Sequence, residues 1–536
     1  MSIFSDLIGY VRACRGLRNF FKESLSIEDA VEKVSKKRES RSEDFLGIVK
    51  RAVYENEDSP FLKLLKSANF EFSDVKSLVD SRGVEGALRE LAEEGVYVGI
   101  NEFKGKNVCV RNGRSFTFKE SDFDNILFHS GLEITTGATR SSGTRTMVDF
   151  NSLTESAEDF AVMQYVHDLV DTPQIVWMPT GLGMICVLRY GKLGNTPVGW
   201  FSQARWFPKI GKGNLYSSIK NRVMIDSMTY EARRIGIPLP KMKWVDMNYV
   251  NEVTKKISAV VKENSRCCVT TFVSSALRAC KSAVDSGTDI DGVVFLVTGE
   301  PLTPTKRKEI EGTGAEVIPW YAASEIGVIS FGCRKPSNCD DTHLLSNRLA
   351  MIQYKREIKD FGISVNAFLL TSLSQFARKR LLNVEMGDYG VMEKLKCRCG
   401  YEKLGMADVV YNIRSFEKLT GEGMTLIGSD MVDVLEEDLP AMFGGSSTDY
   451  QLVEEEDEKG FTHMDILVTP SLGKLDEKKV IDAVYDGLRK RSKGGRDLSF
   501  EVWEDVGTIR VRREKPIVTK RGKLFSFQIN KIRKKK

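Results

Sequence analysis

The sequence predicts an α/β protein in four parts: a helical N-terminal region over 1–130, an α/β core over 131–415, a hinge over 416–428, and a small α+β C-terminal domain over 429–536. Three observations predict it. Between about residues 150 and 300, apolar β-branched runs alternate with helical periodicities, the pattern of buried parallel strands joined by helices. Gly421, Gly423 and Gly428 crowd together where the composition changes, and a glycine cluster between folded units can serve as a hinge. Beyond it, a stretch the length of an ordinary domain reads as strand, helix, strand.

In the N-terminal region, Ser26 stands where it can cap a helix whose first turn is acidic (Glu28, Asp29). Gly86–Glu94 repeats apolar residues at helical spacing. In the core, Gln174–Met178, Gly183–Leu188 and Gly292–Thr298 read as strands, and Val273–Val284 as a helix. In the last part, Met464–Thr469 and Gly507–Val511 read as strands on either side of a helix capped near Asp476.

The 536 residues are 41% hydrophobic and 29% charged, an ordinary globular composition with room for several domains. No long apolar run predicts a membrane span, and the N-terminus shows no secretory pattern. Ten irregularly spaced cysteines favour reduced thiols or metal ligands in a cytoplasmic setting over a disulfide framework. Charge is uneven: the overall +5 combines +11 in residues 508–536 with −6 in the rest. Such an end can meet phosphates, nucleic acid or a membrane surface. Lys534–Lys536 read as a solvated tail, and nucleic acid is not the expected partner.

Four segments suggest chemistry. Ser141-Ser142-Gly143-Thr144-Arg145-Thr146 follows another small-residue run, Thr135–Thr139. Its backbone N–H and hydroxyl groups suit either a phosphate cradle or a solvated loop, and its spacing is not that of a Walker loop. Gly299-Glu300-Pro301-Leu302 follows a strand, where α/β folds bind ligands, and equally reads as a turn. In Tyr321-Ala-Ala-Ser324-Glu325-Ile-Gly327 an aromatic could stack on a base, and a carboxylate beside a hydroxyl could hold Mg²⁺ near phosphates. Cys397-Arg-Cys399, with Cys333, Cys339 and His343 upstream, suits tetrahedral Zn²⁺ or free thiols. The expected zinc ligands are Cys333, His343, Cys397 and Cys399, with Cys339 as a substitute for Cys333. The other cysteines read as core thiols, and His129 and His167 as packing or surface residues.

In this order the segments resemble the adenylate-forming superfamily of acyl-CoA synthetases, adenylation domains and luciferases. Within it they resemble the phenylacetate-CoA ligase branch and its acyl-protein synthetase relatives, over about 55–525. Thr371-Ser-Leu373, Met386-Gly-Asp388, Arg414 with Gly423, and Pro516-Ile-Val-Thr-Lys-Arg-Gly-Lys523 complete the likeness. The resemblance implies an α/β adenylate-forming domain and a mobile C-terminal domain. It also implies roles: residues 141–146 at the phosphates, Gly299, Glu300, Pro301, Ser324 and Arg414 at the nucleotide, Tyr321 beside adenine, Asp388 on the ribose hydroxyls, and Glu325 on Mg²⁺. Lys523 would reach the acyl-phosphate oxygens, and some relatives carry a structural zinc site. Departures mark a divergent subgroup: Arg145-Thr146-Met147 replaces Thr-Gly-Lys, Ala322 replaces a glycine, Asn383 stands where an arginine is usual, and Phe416-Glu417 replaces paired aspartates.

The implied activity is an AMP-forming acid–thiol ligase. It would use ATP, Mg²⁺, a carboxylic acid and a thiol acceptor, with coenzyme A the first choice. The alternatives are an acyl-protein synthetase or other adenylyl transfer with a non-CoA acceptor, and an inactive relative acting as a binding module. Trp200, Phe201 and Trp206 are candidate walls for an aromatic or fatty acid, and equally candidate core.

Overall fold

A computed structural model of the chain describes residues 14–126, 132–135, 145–203, 215–247, 249–358, 363–415, 418–421, 424–427, 431, 433–445, 449–459, 461–491, 497–517 and 527–529. The N-terminal region is largely helical: Ile27–Glu39, Arg41–Ile48, Pro60–Ser67 and Phe72–Glu93 are helices. Ser26 accepts a hydrogen bond from Asp29 N, so the predicted cap forms. The last of these helices breaks at Gly83, whose φ of 70° lies in the left-handed region. Two hairpins follow: β1 (Cys109–Arg111) with β2 (Arg114–Phe116), and β3 (Leu132–Thr135) with β4 (Arg145–Val148).

The core is one twelve-stranded sheet. Its strands are β5 (Gln174–Trp177), β6 (Gly199–Ser202), β7 (Met242–Trp244), β8 (Cys267–Phe272), β9 (Val293–Thr298), β10 (Glu316–Ala323), β11 (Gly327–Gly332), β12 (Thr342–Leu344), β13 (Leu349–Ile358), β14 (Ile363–Ser372), β15 (Val384–Lys394) and β16 (Asp408–Ser415). Across the sheet they run β13-β14-β15-β16-β12-β11-β10-β9-β8-β5-β6-β7. From β7 to β10 every pairing is parallel, and from β10 to β13 every pairing is antiparallel. β8 and β9 are buried at every position, as continuous apolar strands covered on both faces should be.

One sequence expectation changes. Gly183–Leu188, read as a strand, lies inside the helix Thr180–Lys192. The run is buried all round, so periodicity cannot separate a helix from a strand there. Packing decides: a Cβ on Gly183 would lie 2.4 Å from Trp200 Nε1, so only glycine lets this helix close onto β6. Within the segment expected to form the hinge, β17 (Lys418–Gly421) pairs with β18 (Met424–Ile427) as a hairpin; Gly423 and Gly428 lie outside the described residues.

The C-terminal unit pairs β19 (Tyr450–Glu456) with β20 (Thr462–Val468), flanked by β21 (Ile509–Arg512) and β22 (Phe527–Ile529). The helices Glu477–Arg491 and Asp497–Val506 cover this sheet around Trp503, Tyr485 and Tyr450. Phe461, Val502 and Val506 also pack on the apolar layer under the parallel half of the large sheet. Among the described residues no helix is long and apolar enough to cross a membrane.

Candidate functional site

β10 is parallel to β9 through Pro319 and antiparallel to β11 from Trp320 onward. A register shift between Tyr321 and Ala322 bulges the strand, and bulges of this kind re-aim side chains beside sites. Tyr321 thereby turns its hydroxyl to donate to Asp388 Oδ2 at 2.8 Å. Asp388, 7% exposed, sits on β15 after Gly387, whose φ is 80°. The hydrogen bond joins two segments 67 residues apart in sequence.

Glu325 lies in the turn between β10 and β11 and is buried. Its Oε1 accepts from Lys104 Nζ at 3.0 Å, and the same ammonium lies 3.1 Å from Glu120 Oε2. Sequence reasoning missed Lys104: it lies in no motif, 221 residues from its partner. Ser324 accepts at its carbonyl from Arg378 Nη1 at 3.2 Å. Asn383, in the place of the usual arginine, donates from Nδ2 to Leu88 O and Val96 O, tying the N-terminal helices to the sheet.

Gly299 turns at φ 83° after β9, and Glu300 Oε1 accepts from Ser274 Oγ at 2.6 Å, so the turn spans the ends of β8 and β9. Pro301 O accepts from the buried Lys306, which also reaches Thr462 Oγ1 at 3.1 Å and Glu456 Oε2 at 3.3 Å. Thr303 Oγ1 donates to Glu456 Oε1 at 2.8 Å. The C-terminal unit thus meets Thr303 and Lys306, just after the Gly299–Leu302 turn. Burial pushes Glu454 up to about 7, against the pull of Lys306 and Arg414 and with the push of Glu300 and Glu456. Arg414 is on β16 opposite Tyr389, and its charge acts on Glu454 of this unit.

Arg145 and Thr146 begin β4, paired with Thr135 and Ile134. Ser141, Ser142, Gly143, Thr144, Trp206, His129 and Lys523 lie outside the described residues. Trp200 and Phe201 are core residues in different apolar clusters rather than cleft walls. His167 is buried with Nε2 on Gly332 O, and burial pulls it down to about 4.

A second cluster lies on the antiparallel half. Cys333 follows β11, His343 is on β12, and Cys397 and Cys399 follow β15 around Arg398, whose φ of 55° makes a knuckle. Their donor atoms lie within 4.8 Å of one another, with the His343 Nε2 contacts at 3.4 Å to Cys397 Sγ and 3.3 Å to Cys399 Sγ. In tetrahedral zinc sites a sulfur–nitrogen edge is about 3.6 Å. His343 Nδ1 donates to Met406 O at 2.7 Å, leaving Nε2 to face the thiols, the usual arrangement of a metal-binding imidazole. Cys339 does not join them: its thiol meets Leu302 O.

No family model matches the chain, and no curated protein matches it. Solved structures do. An open conformation of a 2-hydroxyisobutyryl-CoA ligase, in complex with 2-HIB-AMP and CoA, is 12% identical over 86% of this chain and 90% of its own, at a TM-score of 0.34. An o-succinylbenzoate CoA synthetase from Bacillus subtilis is 11% identical over 74% and 68%, at 0.39. An amide bond synthetase from Marinactinospora thermotolerans is 10% identical over 70% and 86%, at 0.34.

Three outcomes follow from this geometry. Lys104→Met takes from Glu325 its buried ammonium and costs about 3 kcal/mol in urea unfolding; adding Glu325→Gln recovers part of the loss. An acid whose pKa is raised on folding contributes stability at low pH and loses it as pH rises through the folded value. Between pH 6 and 8, Glu454→Gln therefore gains about 2 °C in melting temperature relative to wild type. Metal analysis of the purified protein finds about one zinc per chain, lost in Cys397→Ser, and a chelator lowers the melting temperature of wild type alone.

Proposed function

We propose that this chain is an ATP-dependent, AMP-forming ligase of the adenylate-forming superfamily, acting on a carboxylic acid and a thiol. The observation that supports it best is the Tyr321–Asp388 hydrogen bond. It joins two segments of the resembled motif set beside Glu325, near where the parallel strands end and α/β folds bind ligands.

The carboxylate attacks the α-phosphorus of ATP, the bond to the β-phosphate bridging oxygen breaks, and pyrophosphate leaves. A thiolate then attacks the acyl carbon and AMP departs. Anions meet in the first step, so cations lower its barrier. Asp388 accepts from the ribose hydroxyls and Tyr321, held by that carboxylate, lies beside the base. Residues 141–146 hold the departing phosphates, and Lys523 meets the acyl-phosphate oxygens. The buried carboxylate of Glu325 is the hard oxygen donor that suits Mg²⁺, which supplies further positive charge when bound. Coenzyme A is the proposed acceptor, and a protein thiol or another group the alternative. The Cys333–His343–Cys397–Cys399 cluster is the proposed structural zinc site, closed by four protein ligands.

Lys104 favours a second reading, a chain that binds nucleotide without catalysis, because an ammonium already occupies the carboxylate expected to hold metal.

Acid-dependent exchange of labelled pyrophosphate into ATP decides between the two, and CoA dependence of the second product decides the acceptor. Asp388→Ala lowers exchange by about 100-fold and Tyr321→Phe by about 10-fold. Lys523→Ala abolishes adenylation but spares thioester formation from preformed acyl-AMP; equal loss in both half-reactions removes the proposed role. Absence of exchange with every acid favours the binding module.

A further inference from the structure

Three guanidiniums gather behind the β10–β11 turn. Arg189, on the helix Thr180–Lys192, is 4% exposed, with its guanidinium 4.7 Å from the Phe160 ring centroid. Its Nε and Nη1 are buried and have no hydrogen-bond partner. Arg348 precedes β13; its Nη2 donates to Val328 O at 2.6 Å and its Nε lies 3.1 Å from Asp159 Oδ2. Arg378 touches the turn itself, at Ser324 O, and as a residue is partly exposed.

The carboxylates nearby have other partners. Asp159 is taken by Arg348 and by Asn347 Nδ2, and Glu325 and Glu120 by Lys104. Among the described residues neither Arg189 nor Arg378 has a carboxylate at ion-pair distance. Burial, then repulsion among Arg189, Arg348 and Arg378, pulls Arg378 down to about 10, and burial and Arg348 lower Arg189 as well. A buried cation with bare N–H donors is costly. An arginine fork facing an anion removes that cost, and its planar donors match the two oxygens of a carboxylate.

We propose that Arg189 and Arg378 form a subsite for a second acidic group of the substrate, so that the acid activated is a dicarboxylate. This rests on the ligase reading above: one carboxylate goes to the α-phosphorus and the other anchors beneath the Tyr321–Gly327 turn. The same donors could instead meet a nucleotide phosphate, and the experiment separates the two sources.

Two readouts on the full chain test it: binding by calorimetry and pyrophosphate release. Probes are glutarate, adipate and isophthalate, their monocarboxylate counterparts valerate, hexanoate and benzoate, and ATP alone. The expected result is that dicarboxylates bind without nucleotide and monocarboxylates do not. Arg189→Met and Arg378→Gln each weaken dicarboxylate binding by about 10- to 100-fold and cut the dicarboxylate-to-monocarboxylate ratio of kcat/KM to match. ATP binding does not change in either variant. Ligand-free Arg189→Met melts no lower than wild type, because an apolar side chain replaces an unpaired buried charge; a lower melting temperature would assign Arg189 a structural role and overturn the proposal. Equal binding of both acid classes, no binding of any dicarboxylate, or loss of ATP binding in Arg189→Met also overturns it. Dicarboxylate binding without pyrophosphate release from any acid would keep the subsite and remove the ligase reading.

Discussion

The reversal of strand direction at β10 is the constraint on which the rest of the molecule depends. Parallel strands bring their C-terminal ends to one edge, which places the Gly299–Leu302 turn after β9. An antiparallel continuation sends the chain back through β11 and β12 and onward to β15. β10 belongs to both halves, and from its end Tyr321 reaches Asp388 on β15. The bulge at Tyr321 belongs to this join, where one strand changes partners and register together.

Charge then organises what backbone topology has assembled. Glu325 and Lys104 are both buried, and each makes the other tolerable there. The N-terminal helical region therefore contributes to the site as well as covering the antiparallel half, where its helices share an apolar cluster with β13, β14 and β15. Arg189, Arg348 and Arg378 extend the same logic to the far side of the turn, with fewer acids than cations.

Two further contacts fix parts that the large sheet alone would leave independent. Lys306 and Thr303 hold Glu456 and Thr462 of the C-terminal unit, so that unit bears on the turn following β9. The four-residue thiol–imidazole cluster joins the ends of β11, β12 and β15. Both devices use short-range directional contacts between segments far apart in sequence, where apolar burial cannot specify an orientation.

Much of this was legible in the residues. The periodicities of Val273–Val284 and Val293–Thr298 gave helix and strand because each has one dominant period and ordinary boundaries. Cys333, His343, Cys397 and Cys399 were legible because soft donors at short spacing have few other uses. Gly183–Leu188 was misread because a segment buried on every side has no polar face to reveal its period.

Alone, the sequence determined the element type where one period dominates, the order of the motifs and the thiol–imidazole candidates, since these follow from local propensity and from residues with specific chemistry. Tertiary structure decided that Lys104 faces Glu325, that Cys339 stays outside the cluster, and that three arginines converge behind one turn. Charges pair across space, and which distant groups become neighbours is fixed by strand order rather than by any spacing along the chain.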